Sequence, residues 1–182
     1  MVMKFDYQKI DGIYPDGIDR SPDYDIIFKK KPKGLSILDL GCYLGYYLLR
    51  AKEEGASMCF GVDQEPVRLK EAKRIAGVKG YDIKYICSDV MITDFDFQLD
   101  VVLCLNLLHH LPLKDVNKLL SKISGLATQR AVFTIITPEV GKGIDNITML
   151  LPEQLQTYFP EWKMEIYDAV STPKRLIVSF TK

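Results

Sequence analysis

The fold is most clearly indicated by residues 35–45, which read L-S-I-L-D-L-G-C-Y-L-G. The first six of these form a short, mainly apolar run of strand length, and two glycines follow closely. Gly41 permits a tight turn with positive φ, and Gly45 lets the next segment pack closely where a helix begins. A buried strand that passes through such a turn into a helix is typical of the first unit of an open α/β sheet.

The same alternation of strand and helix continues along the chain. Further apolar runs are SMCFGVD (57–63), DIKYICS (82–88), LDVVLCL (99–105) and RAVFTIIT (130–137). Helices are predicted over 45–55, 65–77 and 112–125, each ending at a glycine. Because several strands are almost continuously apolar, the pattern predicts parallel strands that are covered on both faces.

The C-terminal part follows a different pattern. LPEQLQTYF (151–159) predicts a short helix, and WKMEIYDAV (162–170) and RLIVSFT (175–181) are joined by a turn too short to hold a crossover helix. The last two strands should therefore pair as an antiparallel hairpin at the edge of the sheet. The predicted fold is α/β, a Rossmann-like doubly wound sheet of about seven strands, mostly parallel with one antiparallel strand near the C-terminus.

Composition limits the class of protein. The 182 residues fit one domain, and 24 Lys+Arg balance 24 Asp+Glu, which argues against a protein whose main task is to coat nucleic acid. No apolar stretch reaches the length of a membrane helix, and the first 30 residues lack the core of a signal peptide. We predict a soluble, cytoplasmic protein with an N-terminal arm over 1–34 and one domain over 35–182. The arm should contain one helical turn near 23–29.

The cysteines agree with this compartment. Cys42, Cys59, Cys87 and Cys104 lie in or beside apolar runs, and none forms a C-x-x-C pair. This arrangement predicts buried structural thiols and no metal centre.

Polar residues stand where the predicted strands end. Asp39 and the glycine turn close the first strand, and Asp63 ends the second, 24 residues later. Ser88 and Asp89 follow the third strand, and Asn106 follows the fourth. The carboxyl ends of parallel strands meet at one edge of a sheet, where ligands bind. Each residue also has a structural interpretation, because Asp and Asn favour turns and helix caps.

Two classes of cofactor compete for this arrangement. A dinucleotide fingerprint is G-x-G-x-x-G, but here Tyr43 and Tyr46 stand where its second and third glycines would fall. A tyrosine in that turn would block the close approach of a pyrophosphate, and Asp39 would add negative charge beside the phosphates. The residues therefore disfavour NAD and favour a cationic cofactor.

Four segments in order resemble the class I S-adenosylmethionine-dependent methyltransferases, over roughly residues 35–182. ILDLGCYLG (37–45) resembles the first motif of that family, which holds the methionine portion of the cofactor. GVDQEP (61–66) resembles the second motif, whose acidic residue binds the ribose. CSDV (87–90) resembles the third motif, whose acidic residue contacts the adenine amino group. LDVVLCLNLLHHL (99–111) resembles the fourth strand and the loop that lines the methyl-transfer site. The resemblance implies a seven-stranded sheet in the order 3-2-1-4-5-7-6.

The resemblance implies S-adenosylmethionine as the cofactor and a specific set of site residues. The cofactor-binding candidates are Asp39, Gly41, Cys42, Tyr43, Gly45, Asp63, Gln64, Ser88, Asp89 and Asn106, and the catalytic candidates are Asn106 and His110. His109 or His110 could instead pack against neighbouring leucines. Tyr14, Arg20 and Tyr24 in the arm are candidates to close over the cofactor carboxylate, because Arg suits bidentate contact with a carboxylate.

Tyr43 departs from the family pattern, because it replaces the middle glycine of the first motif. It could mark a degraded site, or it could be tolerated: GCYLGYYLLRAKEEGA (41–56) and NLLHH (106–110) are similar to methyltransferase-like proteins akin to the tRNA wobble-uridine carboxymethyltransferases. We expect methyl transfer to an unidentified acceptor, a small molecule or RNA. The alternative is a cofactor-binding or partner-binding pseudo-methyltransferase that acts as a regulatory subunit.

Overall fold

The computed structural model describes residues 7–139, 141 and 147–182. Its described strands are β1 Ser36–Leu40, β2 Met58–Asp63, β3 Lys84–Cys87, β4 Leu99–Cys104, β5 Ala127–Ile135, β6 Lys163–Asp168 and β7 Leu176–Thr181. Its described helices are α1 Ser21–Ile27, α2 Tyr46–Glu53, α3 Pro66–Lys79, α4 Leu113–Leu126 and α5 Pro152–Gln156. A 3₁₀ turn covers Leu108–His110.

All seven strands form one sheet in the order β3-β2-β1-β4-β5-β7-β6. The pairs from β3 to β5 are parallel, and β7 runs antiparallel to both β5 and β6. The predicted fold class, strand order and C-terminal hairpin are confirmed. Because β7 runs in reverse, its first residue lies beside the carboxyl end of β5, a position that becomes important at the site.

Two apolar layers cover the sheet, and adjacent residues of β1 show why. Ile37 packs in a cluster with side chains of α1, α2 and α3, whereas Leu38 packs in a second cluster with side chains of α4 and α5. Every residue of β1 is buried, as expected for a strand covered on both faces. The central strands are thereby held rigidly, and their carboxyl ends present fixed positions to a ligand.

Three details of the sequence-based prediction are wrong. Helix α3 continues past Gly77 to Lys79 and ends at Gly80, which has the left-handed conformation typical of a helix C-terminus. Helix α4 continues through Gly125 to Leu126, because Ala127 is extended and begins β5 directly. Cys87 is exposed, since it ends a strand at the edge of the sheet, whereas Cys42, Cys59 and Cys104 are buried; all four thiols are free.

The N-terminal segment packs on the sheet. Ile10, Tyr24 and Ile27 are buried in the cluster that covers α2 and α3. The Asp23 carboxylate accepts hydrogen bonds from the backbone N–H groups of Val170 and Ser171, which joins α1 to the end of β6. The division into an arm and a domain at residue 34 stays a prediction. Among the described helices, none has the length and apolar character needed to cross a membrane.

Candidate functional site

A pocket of about 790 Å³ lies at the carboxyl ends of the parallel strands. This size falls within the range of about 300–1,000 Å³ typical of small-molecule sites. Eight of the predicted site residues line it: Gly41, Tyr43, Asp63, Gln64, Ser88, Asp89, Asn106 and His110. Residues from four different strand ends therefore meet at one cavity, as the parallel topology requires.

The glycine turn after β1 contains three residues in the left-handed region: Gly41 (φ 79°), Tyr43 (φ 53°) and Gly45 (φ 79°). The N–H groups of Gly41 and Cys42 both donate to the carbonyl of Val62, at 2.8 and 3.0 Å, so the turn is anchored to β2. A methyl group at Gly45 would overlap the Tyr85 hydroxyl and lie 3.0 Å from Tyr85 Cε1. Glycine is therefore required at 45 both by backbone conformation and by space.

The Tyr43 ring forms part of the pocket wall. It meets the Tyr7 ring edge-on, with centroids 5.2 Å apart, and the Arg68 guanidinium lies 5.0 Å from its centroid. The Arg20 guanidinium in turn lies 4.5 Å from the centroid of the Tyr7 ring. These four side chains form an aromatic–cationic column that we call the Tyr43 column. The aromatic residue in the turn is thus packed within the structure and leaves the pocket open.

Asp63 is fixed by backbone groups. Its carboxylate accepts hydrogen bonds from the N–H groups of Tyr43 and Glu65, at 3.0 and 2.9 Å, and lies 3.7 Å from Arg68 Nη1. Its side chain is buried but lines the pocket. The contact with Tyr43 joins the end of β2 to the turn after β1, so the predicted ribose acid is pre-oriented by the same turn.

Asp39 lies beneath the turn and is buried without lining the main pocket. Burial, and secondarily the charge of Asp63, raise the pKa of the Asp39 carboxyl to about 7. It borders a small recess that shares Tyr7, Gly41 and Asn106 with the main pocket. A carboxyl that is half ionised near neutral pH is poised to respond to a cationic ligand.

Arg20 borders the same recess and is 1% exposed. Its Nη2 donates to the Tyr7 carbonyl at 3.2 Å, but its buried Nη1 has no hydrogen-bond partner within the described residues. Buried guanidinium groups are costly unless they are paired. The recess therefore places an unsatisfied cationic donor near Asp39 and the glycine turn.

Three predicted residues stand outside the main pocket: Asp39, Cys42 and Gly45. The Cys42 side chain is 1% exposed in the apolar core, and burial raises the pKa of its thiol well above the usual range. Its backbone N–H is already used by Val62. Cys42 and Gly45 therefore shape the turn rather than present side chains to a ligand.

Asp89 serves a turn at the end of β3. Its Oδ1 accepts from the Met91 N–H at 2.9 Å, and its carbonyl accepts from Thr93 Oγ1 at 2.7 Å. The residue is exposed and lines the pocket together with Ser88. The structural and the binding interpretations of Asp89 are compatible, because the turn uses Oδ1 and orients the same carboxylate at the pocket.

Asn106 follows β4 with φ 56°, a conformation that Asn tolerates better than most residues. Its N–H donates to Thr134 Oγ1, and its Oδ1 accepts from Arg175 Nη1 at 2.5 Å. Arg175 Nη2 lies 3.4 Å from Nε2 of His109. These contacts place the Arg175 guanidinium near the ends of β4 and β7. Ser88 and Asp89 lie after β3, on the other side of β1 in the strand order.

The two histidines contact each other beside this guanidinium, with ring centroids 4.0 Å apart and ring planes tilted by 42°. Burial first, and then the charges of His110 and Arg175, lower the pKa of the buried His109 to about 4. Burial and Arg175 also lower the pKa of His110, which is more exposed and lines the pocket. Both imidazoles are therefore neutral at pH 7. His109 Nε2 lies toward the Arg175 guanidinium, whereas His109 Nδ1 is buried and has no hydrogen-bond partner among the described residues.

Sequence reasoning did not find Arg175, Arg68 or Tyr7, all of which line the pocket. A signal for Arg175 was present: it precedes a strand predicted to run in reverse, and the start of such a strand lies at the carboxyl edge of its parallel neighbour. Of the three arm candidates, only Arg20 reaches the site. The Tyr14 hydroxyl donates to Glu71 and the Tyr24 hydroxyl to Glu54, and neither tyrosine lines the pocket or the recess.

The doubly wound sheet with a reversed seventh strand, and a site at its carboxyl edge, are those of the class I methyltransferase fold. The methyltransferase domain family matches residues 37–129, which is just over half of the chain. The chain therefore belongs to the methyltransferase domain family, and the predicted superfamily is confirmed.

Relatives and solved structures agree with this assignment. A ubiquinone biosynthesis O-methyltransferase from Coxiella burnetii is 35% identical over 81 residues, 44% of this chain and 34% of that protein. A tRNA U34 carboxymethyltransferase from Aliivibrio salmonicida is 42% identical over 50 residues, 28% of this chain and 15% of that protein. The chain thus matches about a third or less of the length of these curated relatives.

The fold is shared with solved methyltransferases at low identity. The magnesium protoporphyrin IX methyltransferase of Synechocystis, with bound S-adenosylmethionine, superposes with a TM-score of 0.72 at 16% identity over 89% of this chain and 77% of that one. An N-methyltransferase from Bradyrhizobium japonicum, with S-adenosylhomocysteine, gives a TM-score of 0.72 at 13% identity over 90% and 85% of the two chains.

Proposed function

We propose that this chain is an S-adenosylmethionine-dependent methyltransferase. The observation that carries the proposal is the left-handed turn after β1, in which Tyr43 packs against Tyr7 and leaves the pocket open while its N–H fixes Asp63. Membership of the methyltransferase domain family supports the same activity.

The recess has a volume of only about 10 Å³, so the amino-acid end of the cofactor would lie at its mouth and direct its polar groups toward Arg20 and Asp39. Arg20 Nη1 is buried and unpaired within the described residues, so it can donate to a carboxylate. Asp39, with a pKa raised to about 7, can ionise opposite an ammonium group. A zwitterionic ligand would therefore satisfy both groups, whereas a pyrophosphate would meet an acid at this place.

The main pocket fits the nucleoside end. Asp63 presents a fixed carboxylate that can accept two ribose hydroxyls. Ser88 and Asp89 supply polar groups at the next strand end, and Met91 adds an apolar surface for a base. Gln64 and Asn106, which also belong to the predicted cofactor set, line the same pocket.

S-adenosylmethionine, when bound, supplies a methyl group that is already activated on a sulfonium. The protein then has to orient an acceptor and exclude water, because a well-aligned reactant pair can lower the barrier by about 7–11 kcal/mol. His110 lines the pocket as a neutral imidazole, so it can take a proton from an acceptor hydroxyl or amine. Asn106 holds Arg175 in place and borders the same space.

The acceptor is a small molecule or RNA in this proposal. The named relatives include one enzyme of ubiquinone biosynthesis and one that modifies tRNA, and the short matches do not decide between them. A cytoplasmic location is part of the proposal and is supported by four free thiols.

The proposal is tested by incubating the protein with methyl-labelled S-adenosylmethionine and separate pools of RNA, protein and small metabolites. We expect label in one pool, and at least tenfold less with Asp63→Ala. Binding of the cofactor without label in any pool would contradict the enzymatic activity and favour the regulatory pseudo-methyltransferase.

A further inference from the structure

We propose that Arg175 forms an anion site in the acceptor half of the pocket and selects an acceptor that carries a carboxylate on an apolar body. The proposal names a substrate class for the site described above, and its assignment to the acceptor rests on the proposed function. Arg175 is the first residue before β7, and its guanidinium lines the pocket.

The guanidinium is held from behind. Nη1 donates to Asn106 Oδ1 at 2.5 Å, and Nη2 lies 3.4 Å from His109 Nε2. These contacts use two of its five N–H donors among the described residues. Arginine side chains that are fixed in this way lose little entropy when they bind an anion, and their planar fork matches a carboxylate.

The charge of Arg175 lacks a counter-ion in its surroundings. Within the described residues, no carboxylate lies within 4.0 Å of it, whereas Arg68 in the same pocket has Asp63 at 3.7 Å. The neighbours that hold it are a neutral amide and a neutral imidazole. A half-buried cation with only neutral partners favours an anion from outside.

The surroundings select one negative charge rather than many. Leu107 and Leu111 contribute apolar surface to the pocket, while Asp115 adds a negative charge to the lining. A polyanion such as an RNA backbone would meet Asp63, Asp89 and Asp115 along the same cavity. A compact monoanion with an apolar body therefore suits this pocket, in which leucines and carboxylates share the lining with Arg175.

The two histidines make this site directly observable. They are the chain's whole histidine content, and both contact or border Arg175, so imidazole NMR signals report on this location. Benzoate is the probe, benzamide its neutral counterpart and phenyl phosphate the more highly charged one. Each is titrated into the full chain with and without S-adenosylhomocysteine.

We expect benzoate to shift the imidazole signals and to bind at least tenfold more tightly than benzamide. Arg175→Gln should weaken benzoate binding at least tenfold, and Arg175→Lys should retain part of it. Lys174→Gln removes the adjacent exposed charge and should change it less than twofold. S-adenosylhomocysteine should bind wild type, R175Q and K174Q within twofold of one another, which also shows that the variants are folded.

Absence of benzoate binding, or equal binding to wild type and R175Q, would overturn the proposal. Tighter binding of phenyl phosphate than of benzoate would overturn its choice of a carboxylate. If the wild type does not bind S-adenosylhomocysteine, the proposed function is contradicted instead. The titrations without S-adenosylhomocysteine would still show whether Arg175 binds the anion.

Discussion

At the β1–β3 end of the pocket, Asp63 is held by backbone N–H groups of the turn and of its own strand end, whereas at the β4–β7 end Arg175 is held by side chains of Asn106 and His109. The first end carries carboxylates and backbone donors, and the second carries a cation among neutral groups. In the function proposed above, the cofactor would lie at the end held by backbone groups, and the acceptor would meet the side chains at the other end. The predictions below test this division.

The largest effect is expected at Gly45, where the β1–β3 end of the pocket is most tightly packed. Gly45→Ala should lower the free energy of unfolding by about 3 kcal/mol or more, because a left-handed non-glycine residue costs about 1–2 kcal/mol and the overlap with Tyr85 adds a similar amount. Urea unfolding measures the change.

Gly80→Ala is the matched control, since Gly80 is also left-handed but has open space around its missing Cβ. It should cost only about 1 kcal/mol. Adding Tyr85→Phe to Gly45→Ala should restore part of the loss. Equal costs at 45 and 80 would refute the packing argument.

The next effect concerns the buried acid beneath the turn. Folding raises the Asp39 pKa to about 7, so the folded state binds more protons and stability falls as pH rises from about 4 to about 7. Asp39→Asn should therefore stabilise the ligand-free protein by roughly 2 kcal/mol at pH 8, with the difference shrinking as pH falls through this window.

The same substitution should weaken S-adenosylhomocysteine binding, because it removes the carboxylate that would pair with the ammonium group of the ligand. The buried carboxylate lowers the stability of the ligand-free protein but favours binding. Asp100→Asn is the opposite control: burial raises the pKa of Asp100, but hydrogen bonds from Ser36, Gln129 and Thr128 together outweigh burial and lower it, so loss of this carboxylate should destabilise the protein at pH 8. Destabilisation by Asp39→Asn at every pH would contradict the assignment.

Asp63→Ala should weaken S-adenosylhomocysteine binding at least tenfold, or about 1.4 kcal/mol, by removing charge-assisted bonds to the ribose. Titration calorimetry measures it, with Asp82→Ala as control because Asp82 is exposed and outside the pocket. An unchanged affinity in a folded variant would remove Asp63 from the ribose site.

The smallest effect is expected at Tyr43. Tyr43→Gly should change the free energy of unfolding by less than about 1 kcal/mol, because loss of the contacts with Tyr7 and Arg68 opposes relief of a left-handed tyrosine. Urea unfolding checks this. A loss above about 2 kcal/mol would mean that the Tyr43 column stabilises the fold more than the turn conformation opposes it.

The sequence was sufficient to predict which residues meet at the β1–β3 end of the pocket, because they lie next to features with strong local signals. Asp63 ends one apolar strand and Asp89 closely follows another, and a parallel sheet brings those ends together. The same logic does not give side-chain direction: Cys42 lies in the predicted turn, yet its thiol points into the core.

The β4–β7 end of the pocket was harder to predict because it is assembled by tertiary structure. Arg175 is 69 residues from Asn106 and is brought to it by the reversed strand β7. The burial of His109, which is the main cause of its lowered pKa, depends on packing that no local pattern encodes. Arg20 was among the arm candidates, but its unpaired Nη1 became visible only with the recess in place.

The central claim is that this pocket binds S-adenosylmethionine despite the tyrosine in its glycine turn. Isothermal titration of the purified chain with S-adenosylmethionine, S-adenosylhomocysteine and NAD tests it most directly. We expect micromolar binding of S-adenosylmethionine and S-adenosylhomocysteine and no binding of NAD. Binding of NAD, or no binding of either adenosyl ligand, would contradict it.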